Sequence, residues 1–131
     1  MYLISWNEAD GRIEASLGGR VLLDEMVVFT EELEHFIEDL AGEPYTVLLD
    51  YSRSRPFDHE CRRSLAAFQE WALERGCVKW VNVIRDAEEQ AEAVTHRFAA
   101  VMEGTEDYVL EPGQATWPEF RRDVSAVRLT A

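Results

Sequence analysis

Residues 48 to 65 read LLDYSRSRPFDHECRRSL. Four consecutive residues in this stretch, Asp58, His59, Glu60 and Cys61, are of types that serve as general acids and bases, nucleophiles or metal ligands. Shared chemistry needs side chains that converge, usually from separate elements, whereas consecutive residues at a helix start point in different directions. Metal ligands on one helix face are expected three or four residues apart. Here Cys61 reads as an inner-face residue, Asp58 as a helix cap and His59 as solvent-facing. No catalytic residue and no metal ligand is therefore assigned, and no cofactor is expected.

The arginines of the same stretch carry a second kind of chemistry. Residues 21 to 52 hold nine acids and no lysine or arginine, and then Arg53, Arg55, Arg62 and Arg63 follow within eleven residues. Guanidinium forks suit carboxylates and phosphates, and the free N–H groups of a helix start attract anions. One reading is a docking site for an acidic group on a partner or ligand. The other is a set of surface ion pairs in which these arginines neutralise Asp58, Glu60 and the acidic helix before them. His35 and His96 each fall within a helical pattern with no second ligand in sequence, and read as surface or boundary residues. The GGR at 18 to 20 is too short for a nucleotide-binding turn, and no Gly-x-Ser-x-Gly elbow occurs.

The elements that must position these residues follow from periodicity. Tyr2, Ile4 and Trp6 alternate, as do Ile13, Ala15 and Leu17, with ADG between them, so a β-hairpin opens the chain and runs on toward Leu23. From Asp24 the apolar residues Phe29, Leu33, Phe36, Ile37 and Leu40 recur at helical spacing, ending at Gly42 and Pro44. The run 45 to 51 is a buried strand, and SRSRPF is a loop. A second helix starts at Asp58, with Cys61, Leu65, Phe68 and Ala72 inward and Gly76 as its end. Residues 77 to 86 form a strand. A third helix over 87 to 103 turns Ala91, Val94, Phe98, Val101 and Met102 inward, and 107 to 111 is a last short strand. Thr116 and Glu119 form a capping box for a terminal helix. Strands alternating with helices predict an α/β layer with parallel neighbours, a mixed sheet and helices mainly on one face.

Composition narrows the functions open to such a fold. At 131 residues, nearly half of them hydrophobic, the chain is read as one domain, 1 to 131, with a core that needs no disulfide. A net charge of −13 opposes approach to nucleic acid or anionic lipid. No apolar run of membrane-spanning length and no leader pattern is visible, and two cysteines are no disulfide framework. These features predict a cytoplasmic protein with neither nucleic-acid nor membrane partners. Of the four tryptophans, Trp71 and Trp117 stand where a large aromatic could cap a pocket or make a dimer contact.

The order of elements, with GGRVLLDE leading into a helix and then VLLDYS, a loop, FDHEC and another helix, resembles the STAS domain. The nearest likeness is to the SpoIIAA-like group of small free-standing bacterial proteins, over roughly residues 2 to 104. That family includes anti-sigma-factor antagonists and the cytoplasmic domains of sulfate transporters. In the antagonists the loop after the strand carries Asp-Ser-Ser-Gly, whose second serine is phosphorylated to control docking. In this chain the run reads Asp58, His59, Glu60, Cys61, so only the aspartate matches and the phospho-acceptor position holds Glu60. Ser52, Ser54 and Ser64 lie nearby without motif support. The resemblance implies a non-enzymatic regulatory module acting on an unidentified protein partner or as a homodimer. Its candidate partner- or anion-binding residues are Arg53, Arg55, Asp58, His59, Glu60, Arg62 and Arg63. The alternative is a carrier that holds a small apolar or anionic ligand between helices and sheet.

Overall fold

The computed structural model describes residues 1–110. Among them, five strands form one mixed sheet and four helices connect its parallel part. Strand β1 (Tyr2–Asn7) pairs antiparallel with β2 (Arg12–Gly19) through the expected hairpin, and Gly11 takes a positive φ of 59° at the turn. Helix α1 (Leu23–Asp39) leads to β3 (Tyr45–Ser54), α2 (His59–Leu73) to β4 (Cys77–Ile84), and α3 (Ala87–His96) with α4 (Phe98–Glu103) to β5 (Glu106–Leu110). The strand order is β1-β2-β3-β4-β5, with β2 to β5 all parallel. Each parallel step is a strand–helix–strand crossover, and crossovers of one hand that advance in one direction bring their helices to the same side.

Side-chain alternation along the strands then builds two unequal cores. Ile13, Ala15, Leu17, Val47, Leu49 and Trp80 face Met26, Phe29, Leu33 and Ile37 of α1 and Cys61, Leu65 and Ala72 of α2. Leu48, Val81 and Val83 point the other way and cluster with Val109. Phe68 is half-buried on α2, stacked on Trp71 and edge-on to the fully buried Trp80.

Three expectations change. Strand β3 runs three residues past Tyr51, so Ser52, Arg53 and Ser54 belong to the sheet rather than to a loop. The third helix is two helices that share Arg97 as a cap, with φ −117° and ψ 29°. Neither piece has a buried residue, and Phe98 and Met102, expected inside, are 60% and 69% exposed. The predicted inward stripe assumed one continuous helix. The break at Arg97 turns the residues after it out of that stripe, because the guanidinium reaches down to Glu106 on β5. The capping box at Thr116 and Glu119, and Trp117, lie outside the described residues.

Candidate functional site

A cleft of about 570 Å³ opens between α2 and α3, at the carboxyl ends of β3 and β4. That is where open α/β sheets bind ligands, and the size suits a small molecule. Tyr51, Ile84 and Tyr108 contribute to it from the sheet, Phe57, Leu65 and Ala66 from the loop and α2, and Ala93 from α3. Ala66 and Ala93 are small, so the two helices leave space between them. Arg55, His59, Arg62, Arg63, Arg85, Asp86, Glu88, Glu92 and His96 are its exposed charged or titratable lining.

The loop that carries the arginines is anchored at several points. The ring of Phe57 sits 5.1 Å from that of Tyr51. The Arg55 amide donates to the Gly19 carbonyl at 2.8 Å, tying the loop to the end of β2. Asp58 takes the extended backbone of an N-cap, and its Oδ1 accepts from the Cys61 amide at 2.8 Å. That hydrogen bond favours the ionised carboxylate and lowers its pKa. Cys61 is buried beneath, and burial, reinforced by Asp58, pushes its thiol up to about 11. A protonated buried thiol is a poor nucleophile and a poor ligand.

A buried polar network lies beside the cleft. Glu106 is fully buried on β5 and accepts from Arg97 Nη2 at 2.9 Å and from the Tyr108 hydroxyl. Arg97 Nη1 also reaches Glu70 of α2 at 2.6 Å. Burial opposes the Arg97 charge, but the two carboxylates outweigh it and raise the pKa further. Burial, with Glu106 adding to it, likewise raises the Tyr108 phenol, and burial raises Tyr51. Deeper in, Asn82 Oδ1 accepts from Trp80 Nε1 at 3.0 Å and from Gln69 Nε2 at 3.2 Å. Gln69 is 2% exposed and lines the cleft, and its Oε1 has no hydrogen-bond partner among the described residues.

The structure sorts the seven candidate residues into two groups. Arg55, His59, Arg62 and Arg63 line the cleft, while Arg53, Asp58 and Glu60 do not. Arg62 pairs across the cleft with Glu92 of α3 at 2.8 Å and donates through Nε to the Phe57 carbonyl at 3.0 Å. Arg55 and Arg63 form no ion pair among the described residues, so the reading in which the island neutralises its own acidic neighbours does not describe them. Ser52 and Ser54 are buried in β3, with hydroxyls bonded to Asp50 Oδ1 and to the Tyr51 carbonyl, out of a kinase's reach. His96 lines the cleft mouth although nothing in sequence paired it with His59.

Arg85, Arg97, Gln69, Glu106 and Tyr108 were not singled out from sequence. Two of the neighbouring signals were readable: Asn82 interrupts the apolar strand WVNVI, and Glu106 precedes the last apolar run. Polar residues placed inside strands need partners. Among the described residues no three of His, Cys, Asp and Glu gather as a metal site would require, and no helix is long and apolar enough to cross a membrane. No protein-family model and no curated protein sequence matches this chain.

Proposed function

We propose that the chain is a non-enzymatic, STAS-like binding module and that the cleft between α2 and α3 is its binding element for a small molecule. The observation that carries this reading is the cleft itself. It has an apolar interior, lies at the carboxyl ends of two parallel strands, and is lined by Arg55 and Arg63, which no acid among the described residues neutralises. A titratable group stands near it at several points, but no nucleophile faces a base. Cys61 is buried and protonated, Ser52 and Ser54 are committed to β3, and His59 and His96 are exposed at the mouth.

Native mass spectrometry of protein purified gently from its own host tests the proposal. A retained small molecule that disappears in the Ala93→Trp variant, where an indole would fill the cleft, is the expected result. A clean apoprotein mass in both forms, under conditions that preserve weak complexes, would count against it.

A second reading has its own observation. Arg53 and Arg55 are exposed on a well-anchored strand end and loop, beside Glu60 at the position of the family's phospho-acceptor. Such a rim could meet an acidic protein partner, with the acidic remainder of the molecule repelling other acidic proteins. Charge reversal at Arg53 and Arg55 should then weaken partner binding and flatten its salt dependence, whereas filling the cleft at Ala93 should not.

A further inference from the structure

The ligand's chemical class can be read from how charge is distributed around the cleft, given that the cleft binds a small molecule. The lining contains four acids near α3, Asp86, Glu88, Glu89 and Glu92. Three of these have a local cation: Arg85 holds Glu89 at 2.8 Å and lies 3.9 Å from Asp86, and Arg62 holds Glu92 at 2.8 Å. Arg97 is fully engaged by Glu106 and Glu70. The remaining arginines and acids of the lining balance in number but not in place. Arg55 and Arg63 stand without an acid among the described residues on the α2 side, at the amino-terminal end of α2 where the helix dipole has the same sign, and Glu88 stands without a cation among them on the α3 side.

The interior is different. Phe57, Leu65, Ala66, Ile84 and Ala93 offer apolar surface, and Tyr51 and Tyr108 keep protonated phenols there because burial disfavours their charge. Gln69 Oε1 adds one buried acceptor without a partner among the described residues. Burying such an atom costs free energy unless something donates to it. A site with two unpaired cations on the α2 side of its mouth, apolar surface within and one acceptor at depth fits an amphipathic occupant rather than a bare anion or a hydrocarbon.

We infer that the cleft takes a small amphipathic anion, its acidic head held by Arg55 and Arg63 and its apolar body between α2 and α3. The net charge of −13 makes this selective, because an anion meets attraction at Arg55 and Arg63 on the α2 side while the overall field and the acids of the α3 side repel it elsewhere. A neutral molecule with the same body gains the apolar contacts but not the two charge-assisted hydrogen bonds.

Two fluorescent probes that share one body separate these contributions. Anilinonaphthalene sulfonate is an aromatic anion with an N–H donor, and phenylnaphthylamine is its uncharged counterpart. The expected result is sulfonate binding at least about tenfold tighter than the neutral probe, since a charge-assisted bond is worth that much. In Arg55→Gln/Arg63→Gln, two exposed substitutions that leave the core alone, the sulfonate should fall to the level of the neutral probe, which should be unchanged. Ala93→Trp should abolish both, which places them in the cleft rather than on the exposed Phe98 and Met102. Equal affinities that are insensitive to the arginine variant but lost in Ala93→Trp would overturn the anionic head while leaving the cleft a binding site. Binding of neither probe would overturn the ligand class, and binding that survives Ala93→Trp would remove both claims.

Discussion

The two helices that frame the cleft are held to the protein in different ways. Helix α2 buries Cys61, Leu65, Gln69 and Ala72, lays Phe68 against Trp80, and begins with a capped turn at Asp58. Helix α3 buries nothing. It is attached by Gln90 Nε2 donating to the Tyr108 carbonyl at 2.7 Å, by Arg62 to Glu92, and at its carboxyl end by Arg97 to Glu106 and Glu70. The sequences explain the difference. HECRRSLAAFQEWAL repeats apolar residues at helical spacing, whereas AEEQAEAVTH offers alanines and acids. A wall fixed by apolar packing faces one fixed by polar contacts, and the space between them exists because the second wall turns no large apolar side chain into it.

The difference can be broken most severely on the packed side. Trp80 is fully buried, its ring contacts Phe68 and its Nε1 donates to Asn82. Trp80→Ala should cost about 3–5 kcal/mol in chemical denaturation, from lost burial and the cavity left behind. Phe68→Ala should cost less, because Phe68 keeps some exposure to solvent. Equal losses for the two would mean that the α2 wall is not anchored through Trp80.

Next in size is the clasp where α3 meets α4. Arg97→Met leaves Glu106, whose side chain is wholly buried, without its counter-charge. Removing one partner of a buried pair costs several kcal/mol, and the partial exposure of Arg97 reduces this to about 2–4 kcal/mol. The double variant Arg97→Met/Glu106→Gln should recover much of the loss. Failure to recover would show that Arg97 acts through packing over β5 rather than through charge.

Most of the fold was legible in sequence because it rests on periodicity and punctuation. The hairpin, α1, the Asp58 cap and the order of elements along the chain all follow from local patterns. The α2 side of the site was legible for the same reason, since Arg55, His59, Arg62 and Arg63 are close in the chain. The α3 side was not. Arg85, Arg97, Glu106 and Tyr108 come from the end of β4, the joint between α3 and α4, and β5, and meet only through the parallel crossover between β4 and β5. Val94, Phe98, Val101 and Met102 also form a plausible helical stripe. Nothing local to them reveals that Arg97 will leave the helix to reach an acid nine residues on.

The amino-terminal end of α2 gives a pH signature of the packed wall. The Asp58 carboxyl titrates lower in the folded chain than its ordinary 3.8, so its stabilisation is complete above that value and is lost as pH falls through the lowered one. Cys61 shifts from 9.0 to about 11, so the unfolded thiol ionises first and stability declines as pH rises above 9. Asp58→Ala should therefore lower the melting temperature near neutrality and make little difference at strongly acidic pH. Cys61→Ala should remove the part of the alkaline decline that begins at pH 9, leaving the decline that the buried Tyr51 and Tyr108 phenols cause above pH 10. A Cys61 that alkylates in the native state as fast as a free thiol would contradict the packing described for this turn.

The smallest expected effect belongs to the exposed ion pair that joins α2 to the middle of α3. Arg62 and Glu92 are 51% and 52% exposed, and exposed pairs contribute about 0–1 kcal/mol to global stability. A double-mutant cycle on Arg62→Gln and Glu92→Gln should accordingly return a coupling below about 1 kcal/mol in global unfolding. Its local effect should be larger in proportion, because α3 has no buried side chain to hold it once this pair and its neighbours weaken. Amide hydrogen exchange should therefore speed up over residues 87–96 in either variant, and in wild type at molar salt, where screening shortens to about 3 Å. Residues 59–73 should be unchanged, because their protection comes from burial that salt does not screen. If both helices responded alike, α3 would be packed as firmly as α2 and the contrast between the walls would fail. If neither responded, the polar contacts at Gln90 and Arg97 would be sufficient to hold α3, and Arg62 would be left to its bond with the Phe57 carbonyl.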